Sequence, residues 1–254
     1  MAEICKEAVK SGLEEIAFTD HFILCKLEPP FEHQFDMIQI LKRKFPLKIK
    51  FGVEMDYFES RENELKRIIA NNPFDLVMGS AHYLNDLNIL NRGEIDNYLN
   101  CHNIEELYFN YFEHLHRAIE SGLFDIMAHM DVIRWWHGKM INNKIFEKLS
   151  FDSYREQAEK IVKALKDTNI GFEYNTFGYS PKFNLNDGCP SIELLQMCKD
   201  FGIEKITLGS DAHSLDGVAR DLDKGLEQLK EVGYEKICIF EKRKASFVDI
   251  KEIE

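Results

Sequence analysis

No run in this chain approaches the roughly 20 consecutive apolar residues of a membrane span. The opening MAEICKEAVKSG also lacks the apolar core of a secretory signal. Cysteine is sparse and unpaired in pattern: Cys5, Cys25, Cys101, Cys189, Cys198 and Cys238 are scattered, with no CxxC. With no signal segment, that usage reads as reduced thiols in a cytoplasmic protein, Cys198 and Cys238 being core candidates. Positive charge is short, 32 Lys and Arg against 44 Asp and Glu, for a formal net charge of −12. A nucleic-acid backbone needs a basic footprint, so nucleic acid is not an expected partner. A small anionic substrate stays open, because bound metal ions can dominate the local field. There is no G-x-S-x-G elbow, no P-loop, no linker and no low-complexity tract.

What is present is an alternation of helix and strand patterns. Apolar stripes at helical spacing cover 2–12, 34–45, 59–71, 104–122, 152–168, 190–202 and 221–232. Short β-branched and apolar runs cover 15–19, 48–55, 75–82, 125–130, 170–176, 204–211 and 236–240. Strands that read as continuous apolar runs predict a parallel sheet covered on both faces. Repeated βα units predict a closed barrel or a doubly wound sheet in one domain over 1–254. The polar segments 83–103 and 131–151 are the candidate loops over a site.

Five of these runs end in metal-type ligands: TDH (Asp20, His21), GVEMD (Glu54), GSAH (His82), AHMD (His129) and GSDAHS (Asp211, His213). Any one of these histidines reads as a hydrogen-bonded core or rim residue. Together with Glu54 and Asp211 they predict one polynuclear site. Polar residues at the C-terminal ends of many strands converge only if those ends form a ring, which favours the barrel. His, Asp and Glu without cysteine suit Zn, Mn or Fe in a mixed nitrogen and oxygen site.

The ordered set TDHF, GVEMDY, GSAHY, AHMDVIR, EYNT, PSIELLQMCKDFGIEKITLGSDAHS and EKRKASFVDI resembles the polymerase and histidinol phosphatase (PHP) superfamily, and within it the histidinol-phosphate phosphatases. The resemblance covers essentially the whole chain. It implies an α/β fold, a distorted seven-stranded (β/α) TIM-like barrel, and a site for up to three divalent ions. By resemblance Glu54 bridges two metals, His82 and His129 complete the second set, Asp211 serves the first, and His21 and His213 serve the third. Relatives open with a strand bearing a His-x-His pair, whereas this sequence opens on the helix pattern 2–12, so the expectation is a barrel lacking its first strand and holding fewer ions.

The implied reaction is hydrolysis of L-histidinol phosphate to L-histidinol and phosphate in histidine biosynthesis. The nucleophile would be a metal-bound water, with no protein nucleophile. Two alternatives stay open: a PHP phosphoesterase for another small phosphate, and a truncated, non-catalytic relative. Asp20 reads either as a partner orienting a ligand histidine or as a turn residue. Asp131 reads either as orienting the site or as capping the next loop. Arg134, Lys182 and Arg220 are candidate phosphate-binding cations, each with a solvated alternative. His137 is a possible acid for the leaving alcohol or a loop residue beside Trp135 and Trp136. His33, His102, His114 and His116 read as surface or loop residues. The sequence leaves the oligomeric state open, and no membrane partner is expected.

Overall fold

The computed structural model of the chain describes residues 1–23, 31–141, 144–182 and 185–253. Cys25 lies outside them; the other five cysteines are free thiols, with Cys198 and Cys238 buried as expected. No helix among the described residues is long and apolar enough to cross a membrane.

The chain alternates as its pattern predicts. Helix α1 (Ala2–Lys10) leads through Gly12, at φ +79°, into β1 (Glu15–Phe18) and the short β2 (His21–Phe22). Helix α2 (Phe31–Lys44) precedes β3 (Lys48–Asp56), and α3 (Glu62–Asn71) precedes β4 (Leu76–Ser80). The segment 83–103 is not all loop. It holds a hairpin of β5 (Tyr83–Leu84) and β6 (Leu87–Asn88), then α4 (Arg92–Tyr98). Helix α5 (Ile104–Glu120) begins at an Asn103–Glu106 capping box, where each side chain bonds the other residue's backbone N–H. It feeds β7 (Ile126–Met127). A second hairpin, β8 (Met140–Ile141) and β9 (Lys144–Ile145), interrupts the 131–151 segment. Then follow α6 (Arg155–Thr168), β10 (Gly171–Asn175), α7 (Ile192–Asp200), β11 (Ile206–Gly209) and α8 (Leu222–Val232).

The parallel sheet runs β1-β3-β4-β7-β10-β11, with β2 continuing the first position alongside β3. This is a six-position sheet. Among the described residues neither β1 nor β11 has a strand partner on its outer side. Its upper ends nevertheless approach each other, since the rings of His21 and His213 are 5.8 Å apart. In register, Glu54 pairs Met78 and Met78 pairs Ile126, so these three share one face of the sheet.

That face is covered from below by the C-terminal segment. KICIF, expected as one more strand of the series, is β12 (Lys236–Glu241) and pairs antiparallel with β13 (Lys244–Asp249) instead. Lys242 and Arg243, at φ +50° and +62°, form the two-residue turn that folds the chain back on itself. Cys238 and Phe240 pack on Leu76, Met78, Ile126 and Ala128. The turn is clamped to the N-terminal ends of two sheet strands. Lys242 donates its backbone N–H to Asp75 Oδ1 at 3.1 Å, and Arg243 Nε reaches both oxygens of Asp125 at 3.1 and 3.0 Å. The two positive-φ residues are therefore held by contacts distant in sequence.

Removing the Arg243 guanidinium leaves Asp125 without its counter-charge. Arg243→Ala is expected to lower unfolding free energy by about 2–4 kcal/mol in urea titration. A change within experimental error would mean that the hairpin is held by apolar contact alone.

Candidate metal centre

The sheet brings all six candidate ligands to its C-terminal rim. Glu54 sits in β3, while His82, His129 and Asp211 each stand two residues past the ends of β4, β7 and β11. His21 pairs Glu54 in register across β2 and β3. Glu54 is the centre of the group. His21 Nδ1 lies 3.4 Å from Oε2, and His129 Nε2 and His82 Nε2 lie 3.1 and 3.5 Å from Oε1. The two Nε2 atoms are 3.2 Å from each other. His21, Glu54 and His82 offer ligand atoms within 4.8 Å of one another.

These residues fit a metal ion. Glu54 Oε1 is buried and accepts no hydrogen bond. An orphaned carboxylate oxygen facing two imidazole nitrogens is costly in a protein alone and satisfied by a cation. Burial works to raise the Glu54 carboxyl, but the surrounding His129, His82 and His21 hold it far below the usual carboxylate range. Conversely, burial pulls the His129 imidazole down and the adjacent Glu54 carboxylate more than offsets it, so His129 is shifted well up.

Buried partners hold the ligands in place, and the sequence reading assigned none of them. Asp56, two residues after Glu54, accepts the His82 backbone N–H at 2.9 Å and faces His82 Nδ1 at 3.2 Å. This leaves Nε2 turned toward Glu54. Glu173 Oε2 accepts from the His129 backbone N–H at 3.3 Å and from Asn175 Nδ2 at 3.0 Å. The same Nδ2 reaches Asp211 Oδ2 at 3.3 Å. Burial, opposed in part by His129, pushes the Glu173 carboxyl up to about 7. Gly209 is needed beside it, because a Cβ there would lie 2.1 Å from Glu173 Oε1. Period-two spacing in GVEMD and EYNT is the signal that could have found Asp56, Glu173 and Asn175.

The other candidates lie elsewhere. Asp20 is exposed and accepts from Gln34 Nε2 at 2.8 Å, so its side chain is tied to α2. Asp131 is fully buried and accepts from Arg134 Nη1 at 3.1 Å, Ser191 N at 2.7 Å and Cys189 Sγ at 2.6 Å. Arg134 is only 3% exposed and also bonds the Gly188 carbonyl and the Asp187 carboxylate. Its guanidinium is thus occupied by two carboxylates and a carbonyl, an arrangement that ties 131–134 to 187–191. Lys182 is exposed. Arg220 is partly buried and bonds Asp216 Oδ2 at 2.6 Å.

His137 is buried against Tyr108 and Phe146, with Nε2 on the Tyr108 hydroxyl and its pKa lowered by burial to about 4. His114 corrects the expectation of a surface residue. It is 4% exposed and faces the Tyr57 carbonyl at 3.2 Å. The reason is that α5 is covered on more than one face, from Leu107 to Ile119.

The PHP domain family matches residues 1–177. The chain is 23% identical over 241 residues to a probable histidinol-phosphatase of Deinococcus radiodurans, covering 91% of this chain and 86% of that one. It is 25% identical over 252 residues to the histidinol-phosphatase of Lactococcus lactis, covering 92% and 86%. Its fold is similar to the crystal structure of histidinol phosphate phosphatase from Lactococcus lactis complexed with zinc, L-histidinol and phosphate. The TM-score is 0.83 at 24% identity, over 96% of this chain and 91% of that one.

Two outcomes are expected from this geometry. At about pH 8, where an ordinary imidazole is neutral, zinc uptake should still release about one proton, from His129. Calorimetry in buffers of different ionisation enthalpy reads it, and Glu54→Gln should abolish it; the absence of any release in the wild type would contradict the pairing. Arg134→Ala leaves the buried Asp131 and the partly buried Asp187 without a counter-charge and should cost about 3–5 kcal/mol of stability. Unchanged stability with a raised KM would instead return Arg134 to the substrate.

Proposed function

The chain belongs to the PHP-domain family, and from that premise we propose that it is a metal-dependent phosphatase acting on L-histidinol phosphate. The observation that carries the reading is the Glu54 carboxylate, buried with an orphaned oxygen and ringed by His21, His82 and His129. The substrate is supported by the relatives that bear this activity in their names and by the likeness in fold to an enzyme complexed with L-histidinol and phosphate. The role would be the phosphatase step of histidine biosynthesis in the cytoplasm, carried by one PHP domain over the whole chain.

His21, Glu54, His82, His129, Asp211 and His213 would hold the ions, zinc first among them and manganese or iron as alternatives. Bound ions would supply positive charge to the phosphoryl oxygens and a water ionised near neutral pH as nucleophile. The chain's own residues do the rest. Glu54 draws the imidazoles into one cluster. Asp56 fixes the face that His82 presents, Glu173 anchors the backbone at His129, and Asn175 orients Asp211. Arg220 and Lys182 remain phosphate-side cations in this proposal, while Arg134 serves the scaffold. The family's seven-stranded barrel belongs to the same reading. The outer edges of β1 and β11 lack partners among the described residues, and their upper ends carry His21 and the Asp211–His213 pair. One further strand between them would complete both the sheet and the ligand set.

The test is phosphate release from L-histidinol phosphate by the zinc- or manganese-loaded chain. Turnover should be abolished by a chelator. Glu54→Gln or His129→Ala should reduce it by about 100-fold or more with the circular dichroism unchanged. Chelator-insensitive turnover, or variants equal to wild type, would overturn the assignment.

A further inference from the structure

Two large aromatic side chains stand half-buried beside the ligand cluster. Trp135 lies on the 3-10 turn Val132–Trp136, where Val132, Ile133, Arg134 and Trp136 are all buried. Phe177 lies on the turn Thr176–Tyr179 just past β10. The rings form a series from the buried centre to the rim: His129 to Trp135 at 5.8 Å, Trp135 to Phe177 at 5.3 Å, and Phe177 to the exposed His213 at 6.1 Å. The first two contacts are edge to face.

Both turns are rigidly built. Arg134 is locked by Asp131 and Asp187, and Trp136 Nε1 donates to the Ile89 carbonyl at 2.7 Å. The Phe177 N–H donates to Asn175 Oδ1 at 2.9 Å, and Thr176 Oγ1 donates to the Arg220 carbonyl at 2.7 Å. Leaving part of an indole and a phenyl in water forgoes burial that each would otherwise gain. Held in place next to imidazoles, they offer two tilted aromatic surfaces to whatever occupies the site.

We propose that Trp135 and Phe177 are the specificity wall of the site, receiving the planar ring of the substrate's alcohol portion while its phosphate lies at the histidine cluster. This rests on the phosphatase reading above and assigns the ring, an imidazole in L-histidinol phosphate, to named residues. Aromatic faces favour planar and cationic rings over flexible alcohols. The wall therefore selects ring-bearing phosphate esters from ring-less ones such as glycerol 3-phosphate.

The test has a binding arm and a kinetic arm. The chain holds only two tryptophans, and Trp136 is buried. L-Histidinol added to the zinc-loaded chain should therefore change the fluorescence of Trp135, and Trp135→Phe should remove that change while keeping the affinity within about threefold. Trp135→Ala and Phe177→Ala should weaken L-histidinol binding, read by calorimetry, by about tenfold. They should lower the ratio of kcat/KM for histidinol phosphate over glycerol 3-phosphate by a similar factor. If Trp135→Ala does not fold, Trp135→Leu and Phe177→Leu carry the same comparison. An unchanged ratio and unchanged affinity would overturn the wall, as would a wild-type chain that does not respond to L-histidinol. A Trp135 response without phosphate release would keep the wall and sink the phosphatase reading. Phosphate release with no effect of these variants would do the reverse.

Discussion

The carboxylate of Glu54 is a negative charge held almost out of water, with one oxygen that the protein leaves without a hydrogen bond. A buried anion of this kind is tolerated only where positive charge is assembled around it. Three imidazoles from three other segments of the chain converge on it, and each comes from the end or just beyond the end of a sheet strand. The parallel sheet can be seen as the frame that delivers those segments. β3, flanked by β1 and β2 on one side and β4 on the other, fixes the carboxylate, and its neighbours fix the imidazoles by register. The second layer follows from the same constraint. Asp56 and Glu173 are further buried carboxylates, and each acts through a histidine of the cluster rather than through solvent.

The lower end of the sheet answers a different need. The face that bears Glu54 is apolar on the neighbouring strands, at Leu76, Met78, Ile126 and Ala128, and the C-terminal hairpin covers these residues. Asp75 and Asp125 at the strand starts hold the hairpin turn through its backbone and Arg243. Acidic groups at opposite ends of the same strands thus do opposite work. Those at the bottom bind the chain to itself, and those at the top are left short of positive charge.

Much of this was legible in the sequence because the ligands adjoin apolar runs. His21, His82, His129 and Asp211 each follow a strand-like pattern, so the pattern finds both strand and ligand. Asp56, Glu173 and Asn175 carry no such mark. They lie inside or at the ends of strands, where alternation places a polar residue inward and only packing shows its partner. The buried Asp131–Arg134–Asp187 group joins residues more than fifty positions apart, beyond what local reading reaches. The C-terminal hairpin was missed because its turn is Lys242–Arg243, without the Asn-Gly or Asp-Gly that normally marks such a turn. Its positive-φ residues are stabilised from Asp75 and Asp125, over a hundred residues away. His114 was misjudged because α5 is buried on more faces than its amphipathic pattern implied.

In the proposed function, Glu54 is the carboxylate around which metal would collect. Anomalous scattering at the zinc edge, from crystals of the chain grown with zinc, tests this most directly. A peak is expected at about 2.0–2.2 Å from Glu54 Oε1 and from an Nε2 of His82 or His129. Zinc bound elsewhere, with this cluster empty and the protein still releasing phosphate, would contradict it.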